Sequence, residues 1–356
     1  MDEIESDFQS LECLSKQSLY WEDDDMQSEA FRALVVTETE DGRFVREVKE
    51  RTVDELPPGE VLVRVRYSSL NYKDVLSAAG NRGVTRKYPH TPGIDAAGVV
   101  EESESDEFRP GDEVIVTSYD LGMNTSGGFG QYIRVPGAWV VPLPKGLSLR
   151  ESMMLGTAGF TAALSVLRLA EHVPPERGTV LVSGATGGVG SVAVSILARM
   201  GYSVAAVNGT VDRRDYLQGL GAKEVISLEE ATDASGRPLL KSRWAGCVDA
   251  VGGDVLATAV KSLMPYGVAT CCGNIASPDL PLNVFPFILR GASLVGIDSQ
   301  NCPMDYRRKT WEKLAGEWKI GLDELVEEET DLDGLDERIE KMLGRGRKGR
   351  TLVRVD

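Results

Sequence analysis

One run, Val180-Leu181-Val182-Ser183-Gly184-Ala185-Thr186-Gly187-Gly188-Val189-Gly190, narrows the folds open to this chain more than any other stretch. An apolar strand leads into a glycine-rich turn, and Val192–Met200 then reads as a helix. The turn follows the GxGxxG pattern, with Ala185 in the first glycine place. Gly187 lets the backbone approach a pyrophosphate, Gly190 lets helix and strand pack closely, and the helix N-terminus offers N–H groups to the anion. Ala185, Thr186, Gly187, Gly188, Val189 and Gly190 are therefore expected to bind a dinucleotide. The next apolar run, Ser203–Val207, ends at Asn208-Gly209-Thr210, where an NAD enzyme places an acid on the ribose 2′-hydroxyl. Asn208 is neutral and Arg213 follows, so Asn208, Thr210 and Arg213 point to a 2′-phosphate and favour NADPH over NADH; Asp212 is the counter-signal.

The segments on either side differ in rhythm. From residue 30 to about 150, short alternating runs such as Ala33–Thr37, Val61–Tyr67 and Glu113–Thr117 are separated by Gly/Pro turns, which predicts a small antiparallel, barrel-like domain. From 151 to 290, strands alternate with helices, the pattern of a doubly wound parallel sheet. Residues 291–356 are expected to return to the first domain through a last strand, Arg350–Val355. Residues 1–29 form an acidic extension, expected to be mobile: residues 1–30 carry ten acids and one base, a net −9 of the chain's −16.

That charge disfavours nucleic acid or an acidic membrane as partner. No signal peptide and no membrane-length apolar stretch is read. The five cysteines show no CxxC pair, which suggests reduced thiols and a cytoplasmic setting. The only histidines are His90 and His172, and no cysteine lies in the first domain, so the three protein ligands of a catalytic zinc cannot be assembled there. No metal is expected.

Together these features resemble the medium-chain dehydrogenase/reductase superfamily, in its zinc-free quinone-oxidoreductase-like branch, over residues 30–356. Where zinc members carry Gly-His-Glu, this chain has Gly93-Ile94-Asp95. Ser69-Leu70-Asn71-Tyr72-Lys73-Asp74, Pro92–Gly98, Tyr119–Gly122, Gly156–Ala162, Pro286–Arg290 and Gly296–Ser299 are similar to the acryloyl-CoA reductase subfamily. The resemblance implies a GroES-like β-barrel catalytic domain beside a Rossmann domain, NADPH-dependent reduction of acryloyl-CoA to propionyl-CoA, and a homodimer. Thr210 stands where some relatives carry a basic residue, with Arg213 as its substitute.

Such a reduction needs a hydride at the β-carbon, a donor for the developing enolate oxygen and a proton at the α-carbon. Tyr72 is the candidate proton or hydrogen-bond donor. Asn71 is expected to orient the nicotinamide ribose or the substrate, and Lys73 and Asp74 to pair locally. By resemblance Thr157 and Thr161 line the nicotinamide side. Gly273, Asn274, Asp298 and Ser299 follow strands whose carboxyl ends face the cofactor crevice. Arg86 and Arg290 are assigned to the acyl-CoA substrate, with Arg82, Lys87, Arg307, Arg308 and Lys309 as further cations near it. The resemblance also implies that Lys348-Gly349-Arg350 approaches the cofactor. A quinone or 2-alkenal reductase and a non-catalytic NADPH-binding regulator are the alternatives.

Overall fold

The computed structural model describes residues 29–209, 213–344 and 348–356. Its first strands, β1 (Ala30–Glu38) and β2 (Phe44–Thr52), form an antiparallel hairpin in register from Ala30↔Thr52 to Glu38↔Phe44. The strand β3 (Val61–Leu70) then sets the barrel wall. Val61, Val63 and Val65 alternate into the core, as a half-buried strand requires. Helix α1 (Tyr72–Ala78) follows directly, and β4 (Asp95–Ser103), β5 (Glu113–Thr117), β6 (Tyr132–Val135) and β7 (Val140–Pro142) complete this part.

The helix α2 (Leu149–Ala170) joins the two units. It starts on a capping box between Ser148 and Glu151, two partners that satisfy each other's backbone donors. It breaks at Gly156, where φ is +53°. A Cβ there would lie 2.4 Å from Ser69 Oγ and 2.5 Å from Asp95 Oδ2, so only glycine fits. Its side chains share one core cluster with Ala97 and Ile115 of the barrel and Val180 and Val204 of the second unit. The sequence reading found no membrane-length apolar stretch, yet α2 has that length and composition. It is a core helix, with 78% of its most apolar window buried inside the protein. Its Ser, Thr and Gly residues break up the apolar run and hide it from inspection.

In the second unit β8 (Thr179–Val182), α3 (Gly188–Arg199), β9 (Ser203–Val207), α4 (Arg214–Gly219), β10 (Glu224–Ile226), β11 (Trp244–Asp249), α5 (Gly253–Lys261), β12 (Leu263–Cys271), α6 (Phe285–Arg290) and β13 (Ser293–Gly296) build a six-stranded parallel sheet in the order β10-β9-β8-β11-β12-β13. The order reverses at β8, so the carboxyl ends of β8 and β11 flank a switch point, the place where such sheets bind ligands. β13 pairs with β12, so the sheet runs past the boundary at 290 read from sequence.

Helix α7 (Met304–Ala315) packs on α2, and β14 (Val326–Thr330), α8 (Leu335–Leu343) and β15 (Arg350–Arg354) follow. β15 pairs antiparallel with β3, Thr351 facing Leu70. The barrel sheet is thus β14-β15-β3-β4-β5-β7, with β6 also on β3. The last strand belongs to the first unit, and it brings Arg350 beside residues near 70.

Candidate active site

The glycine-rich turn has the shape its sequence demands. Gly187 N–H donates to Gly184 O at 3.0 Å, closing the loop, and Gly187 caps α3 with extended φ/ψ. A Cβ on Gly190 would lie 2.2 Å from Gly184 O, so the third glycine is obligatory for this packing. A Cβ on Gly187 would meet only Gly184 O, at 3.4 Å. The space over Gly187 is open, while a Cβ on Gly188 would meet Arg350 Nη1 at 3.1 Å; glycines at both places fit the close approach of a dinucleotide pyrophosphate. Thr186 O accepts from Gly349 N–H at 2.8 Å, which brings the 348–350 segment onto the loop. At the end of β9, Asn208 Oδ1 accepts from Arg213 N–H at 3.1 Å, so the two residues are held together. Thr210 lies outside the described residues.

Asp95, the first residue of β4, is the hub of the barrel side and is fully buried. Its Oδ2 accepts from Ser69 Oγ at 2.6 Å, Asn71 Nδ2 at 2.8 Å and Thr157 N–H at 2.9 Å. Its Oδ1 accepts from Thr157 Oγ1 at 2.5 Å. The break at Gly156 leaves the Thr157 N–H free of the helix ladder and available to Asp95. Arg350 is sealed behind this group. It donates to Asn71 Oδ1 at 3.0 Å and Ser69 Oγ at 2.7 Å, and stands 3.9 Å from Asp95 Oδ2. Burial pulls its guanidinium down, while Asp95 and Asp74 oppose the effect.

Asp74 is also fully buried and accepts from the N–H groups of Asn71 and Ile94, each at 2.8 Å. Burial, then the charge of Asp95, push its carboxyl up to about 7. Asp74 therefore holds the turn before α1 and makes no ion pair with Lys73, against the local pairing expected from sequence. Lys73 instead donates to Gln300 Oε1 at 2.7 Å, and burial lowers its ammonium from the usual range.

Asn71 needs a correction. Its side chain is committed to Arg350, Asp95 and the Ser69 carbonyl, so it fixes the loop rather than reaching a ligand. Tyr72, the first residue of α1, is 46% exposed. On the facing side, Thr161 Oγ1 lies 2.7 Å from Thr157 O and 2.8 Å from Ser299 Oγ. Ser118 Oγ lies 2.9 Å from Thr157 Oγ1. The result is a polar ring: Asn71 to Asp95, Asp95 to Thr157, Thr157 to Thr161, Thr161 to Ser299, then Gln300 to Lys73 and back along α1. Barrel, α2 and the segment after β13 each supply part of it. Asp298 is exposed and caps the turn at Gln300 and Asn301, whose N–H groups, with the Asn301 amide, hold its carboxyl below the usual range. Gly273 and Asn274 follow β12, with Asn274 exposed. The thiol of Cys272 is pushed up to about 12 by burial, which leaves it inert.

The substrate arginines separate. Arg290 donates to the carbonyls of Lys261 and Leu263 at 2.8 Å and to that of Leu240, so it clamps the second unit internally. A guanidinium spent on three carbonyls is a poor phosphate ligand, and the role expected for Arg290 is withdrawn. Arg307 is likewise buried, donating to Thr117, Ser299 and Gln300, and Arg308 pairs with Glu107. Arg82 pairs with Glu38. Arg86 keeps an exposed side chain. Asp95, Ser118 and Gln300 escaped the sequence reading as site residues, although Asp95 lies within the Pro92–Gly98 motif; Arg350, expected at the cofactor, instead binds Asn71 and Ser69.

Among the described residues, no three His, Cys, Asp or Glu side chains group as metal ligands, and Ile94 is buried. The alcohol dehydrogenase GroES-like domain matches residues 57–145, and the zinc-binding dehydrogenase family matches residues 188–318. The chain is 46% identical to acrylyl-CoA reductase AcuI of Ruegeria pomeroyi, over 89% of this chain and 98% of that protein. The yhdH oxidoreductase of Salmonella enterica, solved in complex with NADP, is 40% identical with a TM-score of 0.88, covering 91% of this chain and 100% of that one. Bacillus subtilis yhfP, solved with NAD bound, is 44% identical with a TM-score of 0.89, covering 92% and 100%. The chain belongs to the medium-chain dehydrogenase/reductase superfamily, in the acryloyl-CoA reductase subfamily of its quinone-oxidoreductase-like branch.

Proposed function

We propose that this protein reduces the C=C bond of acryloyl-CoA to give propionyl-CoA, using NADPH. The observation that carries the reading is the 46% identity to the Ruegeria pomeroyi acrylyl-CoA reductase across 98% of that protein. The open space at Gly187 and the polar contacts running from Asn71 to Ser299 support the reading.

NADPH, when bound, supplies the hydride for the β-carbon. Residues Ala185–Gly190 hold the pyrophosphate, and Asn208 with Arg213 holds the 2′-phosphate. Thr161 and Ser299 orient the nicotinamide side, and Asp95 fixes Thr157 below them. Asn71 and Asp74 set the start of α1, so that Tyr72 presents its hydroxyl to the α-carbon as proton donor. Arg86, exposed near α1, meets the phosphates of CoA.

The protein acts as a cytoplasmic homodimer. Val284, Phe285, Ile288 and Leu289 are exposed around α6, beside β13 at the end of the parallel sheet, and this face supports self-association. The test is NADPH and NADH oxidation with purified protein and acryloyl-CoA, crotonyl-CoA or a simple quinone. Strong preference for acryloyl-CoA with NADPH is expected. Turnover with quinone alone overturns the substrate, and cofactor binding without turnover favours the regulator alternative.

A further inference from the structure

Among the described residues of the polar ring, Lys73 is the cation left open to a ligand. Arg350 is sealed behind Asn71, and Arg307 is buried under Ser299 and Gln300. Lys73 is different. It sits in the first turn of α1, next to Tyr72, and is neither exposed nor sealed. Its Nζ donates one hydrogen to Gln300 Oε1 at 2.7 Å. Among the described residues, no carboxylate stands within ion-pair distance of it. An ammonium carries three donors, so two remain beyond the bond to Gln300.

The partner is itself held rigidly. Gln300 O accepts from Tyr119 N–H at 3.2 Å and from Arg307 at 3.2 Å, and Gln300 N–H donates to Asp298 at 3.0 Å. The Gln300 backbone is thus pinned from the barrel, from α7 and from its own turn. A flexible lysine stem is thereby directed to one point on the rim by a neutral acceptor. A neutral acceptor orients the ammonium without quenching its charge, whereas a carboxylate would do both.

Resting on the acryloyl-CoA reading, we propose that Lys73 is a catalytic residue, whose ammonium hydrogen-bonds the thioester oxygen as the enolate develops. Hydride arrival at the β-carbon moves the C=C electron pair towards the carbonyl, leaving negative charge on that oxygen. Lys73 holds this charge without releasing its proton. The α-carbon then takes a separate proton, and the pair returns from oxygen to form the new C–H bond. Preorganised donors aimed at developing charge are most effective where water is partly excluded, as it is here. The groups acting on the ammonium agree with this task. Burial disfavours its charge, while Asp74 on α1, Asp95 on β4 and Asp298 after β13 favour it without touching it.

The test compares wild type, Lys73→Met and Lys73→Arg, using the full chain. Melting temperature and NADPH affinity, read by cofactor fluorescence, are measured beside acryloyl-CoA kinetics from pH 6 to 10.5. Loss of an oxyanion donor predicts that Lys73→Met lowers kcat by about 10²–10³-fold. Its NADPH affinity and melting temperature stay near wild type. Lys73→Arg recovers at least about tenfold of that loss, because the charge and donors remain. Wild-type activity falls as pH rises through the ammonium's lowered range, and Lys73→Arg moves that fall upward. Wild-type kcat in Lys73→Met overturns the proposal alone, as does an alkaline limb that Lys73→Arg leaves unmoved. Wild-type protein that binds NADPH yet leaves acryloyl-CoA unreduced overturns the underlying reading, and the proposal with it.

Discussion

The backbone N–H of Gly349 donates to the carbonyl of Thr186 at 2.8 Å, so the segment that carries Arg350 grips the glycine-rich loop itself. One short stretch thereby touches both halves of the site: Thr186 through Gly349, and Asn71 through Arg350. Gly349 has φ of +57°, and a Cβ there would lie 2.1 Å from Leu325 O. Gly349→Ala is expected to lose roughly 1–3 kcal/mol from backbone strain, with the contact to Leu325 adding to it. Urea unfolding reads the stability, and a fluorescence titration is expected to show weaker NADPH binding in the same variant. Unchanged binding would mean that the loop keeps its shape without the Gly349 contact.

Asp95 neutralises a guanidinium that has no route to water. Asp95→Ala leaves Arg350 buried without its carboxylate, at an expected loss of roughly 3–5 kcal/mol. Thr157 loses both its contacts to Asp95 at once. Denaturant midpoints of the variant and of Asp95→Ala/Arg350→Met separate the terms: the double variant should recover part of the loss.

Asp74 makes stability depend on pH in a direction opposite to most carboxylates. Its folded-state value is about 7, against 3.8 for the free group, with burial the main cause. Between these values the folded protein holds a proton that the unfolded chain has released. Stability from this group is therefore present at low pH and falls as pH rises from about 4 to about 7. Subtracting the pH–stability profile of Asp74→Asn from that of wild type should isolate this slope. A flat difference would place Asp74 at an ordinary value.

Tyr72→Phe removes the proposed proton donor and nothing that holds the fold, because the ring is half exposed. A kcat loss of about 10²-fold or more is expected, with NADPH affinity unchanged. Retained kcat would assign the proton to water.

Arg213 is held beside Asn208 at the end of β9. Arg213→Ala should weaken NADPH by about 1.5–3 kcal/mol, the range of a bond to a charged group, and leave NADH nearly untouched. Equal loss for both cofactors would remove Arg213 from the 2′-phosphate site.

The strand, glycine-rich turn and helix were legible because they are local. Val180–Gly190 holds strand, turn and helix within one contiguous run, and every constraint on it acts between near neighbours. The polar cluster around Asp95 was not, because it is assembled from distant residues: Ser69 and Arg350 meet across 281 positions. Spacing carries no signal at that range. Helix α1 escaped because only the role of Asn71–Asp74 was read there and not its structure; Asp74 caps the helix by accepting from Asn71 N–H. β14 escaped because Val326-Glu327-Glu328-Glu329-Thr330 is acidic, a composition that disfavours strands; pairing with β15 at the sheet edge overrides it. Arg290 and Arg307 were misjudged as ligand cations, since sequence cannot tell a guanidinium facing solvent from one enclosed by carbonyls.

The pairing of β15 with β3 also dictates an order of events during synthesis. A ribosome releases β3 long before β15, so the barrel waits with an open edge at Ser68–Leu70 while the parallel sheet, whose strands are contiguous in sequence, is free to form. Closing the barrel is then a long-range step, slow by the entropy of the loop it must close. Arg350 reaches Ser69 and Asn71 only at that step. A growing chain can therefore complete its glycine-rich turn before Arg350 closes the cluster around Asp95, and one interrupted before β15 would have the first without the second.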